Sequence, residues 1–295
     1  MTALRTARPA RPGARRGAAT RLSLGTLRHV LLLAGAALMI APFLYMLAIS
    51  FTPNSYVLTT PPQFIPENPT LGNYAQALDA QDIPRYFLNS LLVATVSTVL
   101  SVLLSSMMAY AFARFRFRGR EVIFRVLLVG LMIPAVMLLI PQFVLAKHLG
   151  LLDSLGGLVV FYVAGSLALN TFLLRGFLEQ TPAELDEAMQ MDGANAWTRY
   201  WRLALPLAKP GLATATIFTF LACWDEFAWA LTIINDPEAR TLPIAIRLLA
   251  GQGNNAVQWG VVFAASVMAV IPVIVVFLVF QRHFVQGLVS GAVKG

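Results

Sequence analysis

Six stretches of this sequence are apolar over roughly 22 to 27 residues each, and they constrain the fold more than any other feature. They run about 29–51, 87–113, 122–146, 155–177, 211–234 and 259–280. At about 1.5 Å rise per residue, each is long enough to cross a hydrocarbon layer of about 30 Å as a helix. Within lipid, every backbone N–H and C=O needs an internal partner, so runs of this length must be helical. Composition agrees, since 58% of the 295 residues are hydrophobic and only 12% are charged, against about 25% in soluble domains. The expected fold class is an all-α polytopic membrane protein with six transmembrane helices. The first stretch is too long for a signal-peptide core and lacks a convincing small-residue cleavage site, so it is expected to stay as an anchor.

Six spans place both termini on one side, and the basic residues say which. Seven arginines precede the first span, and Arg114, Arg116, Arg118, Arg120 and Arg125 surround the second connection. Arg175, Arg199, Arg202 and Lys209 fall around the fourth, with Arg282 and Lys294 at the C-terminal end. That is 18 of the 22 Lys and Arg, leaving Arg85, Lys147, Arg240 and Arg247 for the opposite side. Basic residues are retained in the cytoplasm, so both termini are expected there. The net charge of +8 is thus topological information. It does not indicate a nucleic-acid partner, because the arginines are divided among membrane-edge loops and form no single stripe.

Residues 1–28, rich in Arg, Ala, Pro and Gly, are expected to form a disordered basic tail attracted to anionic headgroups, ahead of a transmembrane domain over 29–295. The first external loop, Thr52 to Tyr86, holds six prolines and should be extended, with a short helix near Tyr74 to Leu78. The third external connection, Asn235 to Gln258, opens with an Asn-Asp-Pro turn and carries an amphipathic stretch around Ile244 to Leu249. Ser97, Ser101 and Ser105 recur every four residues, a small-residue stripe suited to close helix packing or to a polar pathway. Pro134, Pro141 and Pro272 should break or bend their spans. The single cysteine, Cys223, lies in an apolar run and can form no internal disulfide. No 3+3 internal repeat is evident.

Two places depart from this lipid-like background. Asp225 and Glu226 fall inside the fifth apolar stretch beside Trp224 and Trp229, and Asn170 lies deep in the fourth. Ionisable and amide groups at such depth are functional candidates, or else hydrogen-bond neighbouring helices to fix packing. The other place is the most polar segment of the chain, TPAELDEAMQMDGANAWTRYWRLALP, from Thr181 to Pro206. Thr181-Pro182-Ala183-Glu184 has the form of a capping box with proline at the first helical position. Leu185, Ala188 and Met189 share one helical face, and Asp192-Gly193 signals a helix stop. A second helix capped by Asn195 would put Trp197, Tyr200, Trp201, Ala204 and Leu205 on one stripe. The segment therefore reads as two short amphipathic helices hinged at a glycine. They could rest on the inner leaflet, dock into a groove of a soluble partner, or carry catalytic carboxylates. Catalysis has least behind it: no His, Cys or metal-ligand cluster accompanies these acids, and His29, His148 and His283 all sit near span ends.

The order Glu187-Ala188-Met189, three residues, Gly193, nine residues, Leu203-Ala204-Leu205-Pro206 resembles the EAA loop of ABC importer permeases. Met189 stands where that pattern has alanine and Leu203 where it has isoleucine. PENPTLGNYAQALDAQDIPRYFLNSLLVA (Pro66 to Ala94), Trp224-Asp225-Glu226-Phe227 with the following NDPEARTLPIAI, and the ending QRHFVQGLVSGAVKG are similar to the carbohydrate-importer branch, of maltose-transporter type. The resemblance implies a type I ABC importer permease fold, a bacterial or archaeal plasma membrane location, and a coupling loop over 178–209. Its ATPase-coupling residues would be Glu184, Glu187, Ala188, Met189, Asp192, Gly193, Ala194, Leu203, Leu205 and Pro206. It also implies a second, different permease, two separate ATPase subunits and an extracytoplasmic solute-binding protein. Asn170, Trp224, Asp225, Glu226 and Trp229 would line a sugar path or the contact between permeases. No phosphate-binding loop GxxxxGK[ST] occurs, so ATP and Mg are expected on the partner subunits, with no cofactor, metal or catalytic residue on this chain. An ion-coupled secondary transporter is the alternative, followed by a membrane-embedded enzyme, but neither explains the polar double helix.

Overall fold

The computed structural model describes residues 14–53, 63–79, 82–251 and 257–292, and these are mostly helical with no strand among them. Helix α1 (Ala14–Ser50) is followed by the short α2 (Gly72–Asp79), and then by the 32-residue α3 (Ile83–Arg114). Next come α4 (Arg120–Val129), α5 (Leu139–His148) and α6 (Leu155–Glu179). The polar segment forms α7 (Ala183–Met191) and α8 (Ala196–Arg199), joined through a π turn at Tyr200–Ala204 to α9 (Leu205–Leu207). The chain ends with α10 (Lys209–Trp224), α11 (Ala228–Ile233), α12 (Leu242–Leu249) and α13 (Trp259–Ala292). Among the described residues, four unbroken helices are long and apolar enough to cross a membrane, and two bent pairs bring the possible number to six.

The N-terminal expectation needs correction. The chain is helical from Ala14, where an unstructured tail was expected as far as residue 28. Residues 14–24 are rich in Ala, Arg and Leu, which favour helix, and the long apolar helix that follows provides the nucleus. Residues 1–13 of that tail, the 54–62 part of the first proline-rich loop, and residues 293–295 lie outside the described residues.

Two spans are interrupted: the third, where prolines led a break or bend to be expected, and the fifth, which was expected to be continuous. α4 and α5 are separated by 3-10 turns at Gly130–Met132 and Ala135–Leu138, and their axes bend by 96°. The cause is Pro134: the residue before it, Ile133, is pushed out of the helical region to φ −87°, ψ 119°. Pro141 falls in the first turn of α5, where its missing N–H costs nothing, so it does not break the helix. The fifth span stops at Trp224 and resumes at Ala228, leaving Asp225–Phe227 between α10 and α11.

α3 and α6 form the central pair, with α10 packed against both. Ser97, Ser101 and Ser105 are fully buried on α3, and the Ser105 hydroxyl reaches the Leu167 carbonyl of α6 at 3.5 Å. The stripe is thus a packing face. One buried cluster at the start of α3 joins Ile83, Tyr86 and Val93 to Leu158, Trp224, Ile233, Leu242 and Ile244. A second, at the other end, joins Ala109 and Tyr110 to Leu174, Leu178, Tyr200 and Ala204. α2 closes the first end: Asn73 Nδ2 donates to the carbonyls of Ser50 (2.9 Å) and Thr52 (2.8 Å) at the end of α1. Gly260 admits this contact, since a Cβ there would lie 2.5 Å from Asn73 Nδ2.

Candidate functional site

The segment 181–206 forms a hairpin at the α3 C-terminal end of the bundle. α7 closes as a Schellman motif: Ala194 N–H donates to Met189 O and Gly193 N–H to Gln190 O, both at 3.0 Å. Gly193 has φ +81°, the left-handed conformation this closure requires, and a Cβ there would meet nothing. Asn195 caps α8 as expected, its Oδ1 accepting from Thr198 N–H at 2.8 Å. The Thr181–Glu184 capping box does not form. α7 begins at Ala183, and Pro182 precedes it with no side-chain cap. Thr181 is held by the preceding helix, donating its N–H to Leu178 O (3.2 Å) while its carbonyl accepts from Arg114 Nη2 (3.0 Å). Glu184 and Asp186 remain in the first turn, where carboxylates complement the helix dipole.

The hairpin is fastened by polar contacts. Arg199 Nη1 donates to Asp186 Oδ2 at 2.9 Å and to Gln190 Oε1 at 2.8 Å, and the ion-paired side chains are only 9% and 11% exposed. The Tyr110 hydroxyl of α3 donates to Asp186 Oδ1 at 3.0 Å. Ser106 and Tyr200 share a hydroxyl–hydroxyl bond of 2.7 Å. Asp186, Arg199, Tyr110 and Arg114 were not among the expected site residues. No sequence spacing links Asp186 to Arg199 across a turn, and Tyr110 lies on a different span.

With Asp186 turned inward, the apolar side of α7 turns outward. Leu185 is 45% exposed, Met191 87% and Trp197 57%, and Ala188 is also open. Met189, Ala194, Leu203 and Leu205 are half-buried, whereas Glu184, Glu187, Asp192, Gly193 and Pro206 are exposed. Of that stripe, Tyr200 and Ala204 enter the core, while at the surface Trp197 stacks on Tyr200 and Trp201 meets it edge-on. Glu187 lines a polar cleft of ≈ 610 Å³ with Arg114, Arg116, Arg120 and Gln190.

The second locus is the break after α10. Glu226 occupies it as a cap: Oε1 accepts from Trp229 N–H at 2.7 Å and Oε2 from Ala230 N–H at 3.0 Å. The Tyr162 hydroxyl of α6 donates to Oε2 at 2.6 Å. Trp229 is buried against Phe161, ring centroids 4.8 Å apart. Glu226 and Trp229 therefore come together, with Tyr162, on one cleft. Asp225 is exposed beside them but does not line it. Trp224 packs elsewhere, donating to Ala269 O of α13 at 3.1 Å and stacking on Phe220. Asn170 is buried and donates to Thr219 Oγ1 at 2.8 Å, joining α6 to α10. Trp224 and Asn170 thus hold helices together.

A bundle of apolar, lipid-length helices with buried polar joints and an outward-facing amphipathic hairpin is the architecture of a polytopic membrane protein. Residues 101–290 match the family described as binding-protein-dependent transport system inner membrane component. The diacetylchitobiose uptake system permease protein NgcG of Streptomyces coelicolor is 34% identical, over 95% of this chain and 93% of that protein. The trehalose/maltose transport system permease protein MalG of Thermococcus litoralis is 36% identical, over 91% and 98% respectively. A solved chain of a bacterial ABC transporter involved in the import of the acidic polysaccharide alginate superposes with a TM-score of 0.78 at 27% identity, covering 94% of this chain and all of that one. The chain belongs to the binding-protein-dependent inner-membrane transport family, and its fold is that of an ABC importer permease.

Proposed function

We propose that this chain is one of two different permease subunits of an importer for a sugar or oligosaccharide, driven by ATP hydrolysis on two separate ATPase subunits. The observation that carries this reading is the hairpin. Its polar side is clamped to α3 through Asp186, Arg199 and Tyr110, while Leu185, Ala188 and Met191 face outward with nothing to cover them. An element rigidly joined to a span and apolar on its free face is suited to seat in a groove of a partner and pass that partner's motion to the span. Glu187 and Gly193 set the ends of the lever. Glu184, Asp192, Ala194, Leu203, Leu205 and Pro206 complete its shape and its contact with the ATPase, which holds ATP and Mg. The arginines around 114–125 and 175–209 gather at the hairpin end, which supports a cytoplasmic location for it and for both termini. The sugar class is supported by the names of the relatives, and the family's dependence on a binding protein supports an extracytoplasmic partner that delivers the solute.

The test is to co-purify the chain with the products of its neighbouring genes, reconstitute the complex, and measure which sugars stimulate ATP hydrolysis. Stimulation by a sugar presented with the binding protein is expected. Uptake that follows a proton or sodium gradient and needs no ATPase subunit would overturn the reading in favour of a secondary transporter.

A further inference from the structure

The interruption at Asp225–Phe227 leaves a cleft of ≈ 320 Å³ walled by α5, α6, α11 and the end of α10, where Ala222 and Cys223 face it. Its size is at the lower end of the range of about 300–1,000 Å³ for small-molecule sites, enough for one sugar ring and too small for a chain. Phe161, Tyr162 and Trp229 supply aromatic walls. Three polar groups converge among them. Gln142 from α5 brings a half-buried carboxamide with no hydrogen bond to any described residue, so its donors and acceptor are available to a ligand. The Ser166 hydroxyl donates to Tyr162 O at 2.8 Å and keeps its lone pairs available. Glu226 accepts three hydrogen bonds, from Tyr162, Trp229 and Ala230, which leaves about one of a carboxylate's four acceptor positions open. Among the described residues, no Lys, Arg or His lines the cleft.

We infer that this cleft is a binding subsite for one uncharged sugar ring, and that Glu226 makes it reject acidic sugars. The inference rests on the sugar-import reading above and adds the location and charge class of the ligand. The less polar face of a pyranose lies on the aromatic rings, and its hydroxyl groups donate to Glu226 and Ser166 and exchange bonds with Gln142. A uronate ring would bring a second carboxylate to within a few ångströms of Glu226 with no cation to offset it. That repulsion in a low-dielectric site discriminates by on the order of tenfold or more. The fold is shared with an importer of acidic alginate, but the charge of this cleft is opposite to what an acidic ligand requires.

The test uses the complete reconstituted transporter with its binding protein. In a Cys223→Ala, Gln142→Cys chain, the rate of modification at position 142 by a small methanethiosulfonate reagent is followed. The neutral probes are maltose, trehalose and diacetylchitobiose, and alginate pentasaccharide is the acidic probe. At least one neutral sugar should slow modification fivefold or more, and the alginate fragment should not. Gln142→Ala should raise the half-saturating concentration of the same neutral sugar in uptake by fivefold or more, and Glu226→Gln should let the alginate fragment protect position 142. If a neutral sugar stimulates ATP hydrolysis yet leaves both the modification rate and the half-saturating concentration unchanged, the subsite is refuted while sugar import stands. Position 142 that is unreactive with and without sugar means that a neighbouring subunit fills the cleft, which also refutes it. If no sugar stimulates hydrolysis or uptake, the underlying reading falls and the subsite falls with it.

Discussion

Replacing Arg199 with alanine should release the hairpin while leaving the spans in place. Arg199 donates to both Asp186 and Gln190, and with it gone the Asp186 carboxylate, 11% exposed, keeps only the Tyr110 hydroxyl. Removing one partner of a buried ion pair costs about 3–5 kcal/mol, because the remaining charge is left uncompensated. At about 1.4 kcal/mol per tenfold, local opening of α7 should become more frequent by roughly two to three and a half orders of magnitude. Arg85 and Glu238 form a shorter pair, at 2.7 Å, but are 44% and 68% exposed, so Arg85→Ala should cost no more than about 1 kcal/mol and serves as the internal control. The assay is amide hydrogen exchange over residues 183–205 in the intact solubilised chain, alongside uptake by the reconstituted complex. Asp186→Asn with Arg199→Met removes both charges together and should recover much of the protection lost in Arg199→Ala. Exchange in Arg199→Ala within twofold of the unmodified chain, or a double variant no better protected than the single, would refute the clamp.

Gly193→Val should abolish uptake without reducing the amount of chain in the membrane. Its φ of +81° penalises a β-branched residue by about 2 kcal/mol through the backbone alone, since a Cβ there meets nothing; Gly193→Asn should keep partial uptake, and full uptake in the valine variant would refute the lever. The loop around Asp153 should loosen in acid. Asp153 accepts the N–H groups of Asn235 and Asp236, which holds its carboxyl below the ordinary value of 3.8. A lowered folded pKa means the stabilisation is complete at neutral pH and is lost as pH falls below 3.8 and through the folded value. Protease sensitivity of the 235–241 loop should therefore rise over that window, and Asp153→Asn should abolish the change.

The sequence disclosed what depends on periodicity and on local chemistry. Length and apolarity located the spans, the Asp192-Gly193 pair located the hairpin's turn, and Asn195 located the start of α8, because each is decided within a few residues of chain. It failed where the outcome depends on which elements meet. Thr181 had the chemistry of a cap, but α6 and Arg114 compete for its backbone and the box is lost. The break at Asp225–Phe227 fell in a run containing no proline; its two carboxylates marked the place as polar but carried no helix-stop signal. Glu226 explains both the break and its own depth. The N–H groups exposed at the start of α11 need acceptors that lipid cannot supply, and its carboxylate meets two of them while a phenol from α6 meets it in turn. An ionisable residue in a span thus need not choose between packing and function: the bonds that make Glu226 affordable at this depth also fix its carboxylate at the edge of the cleft, where its charge can sort ligands.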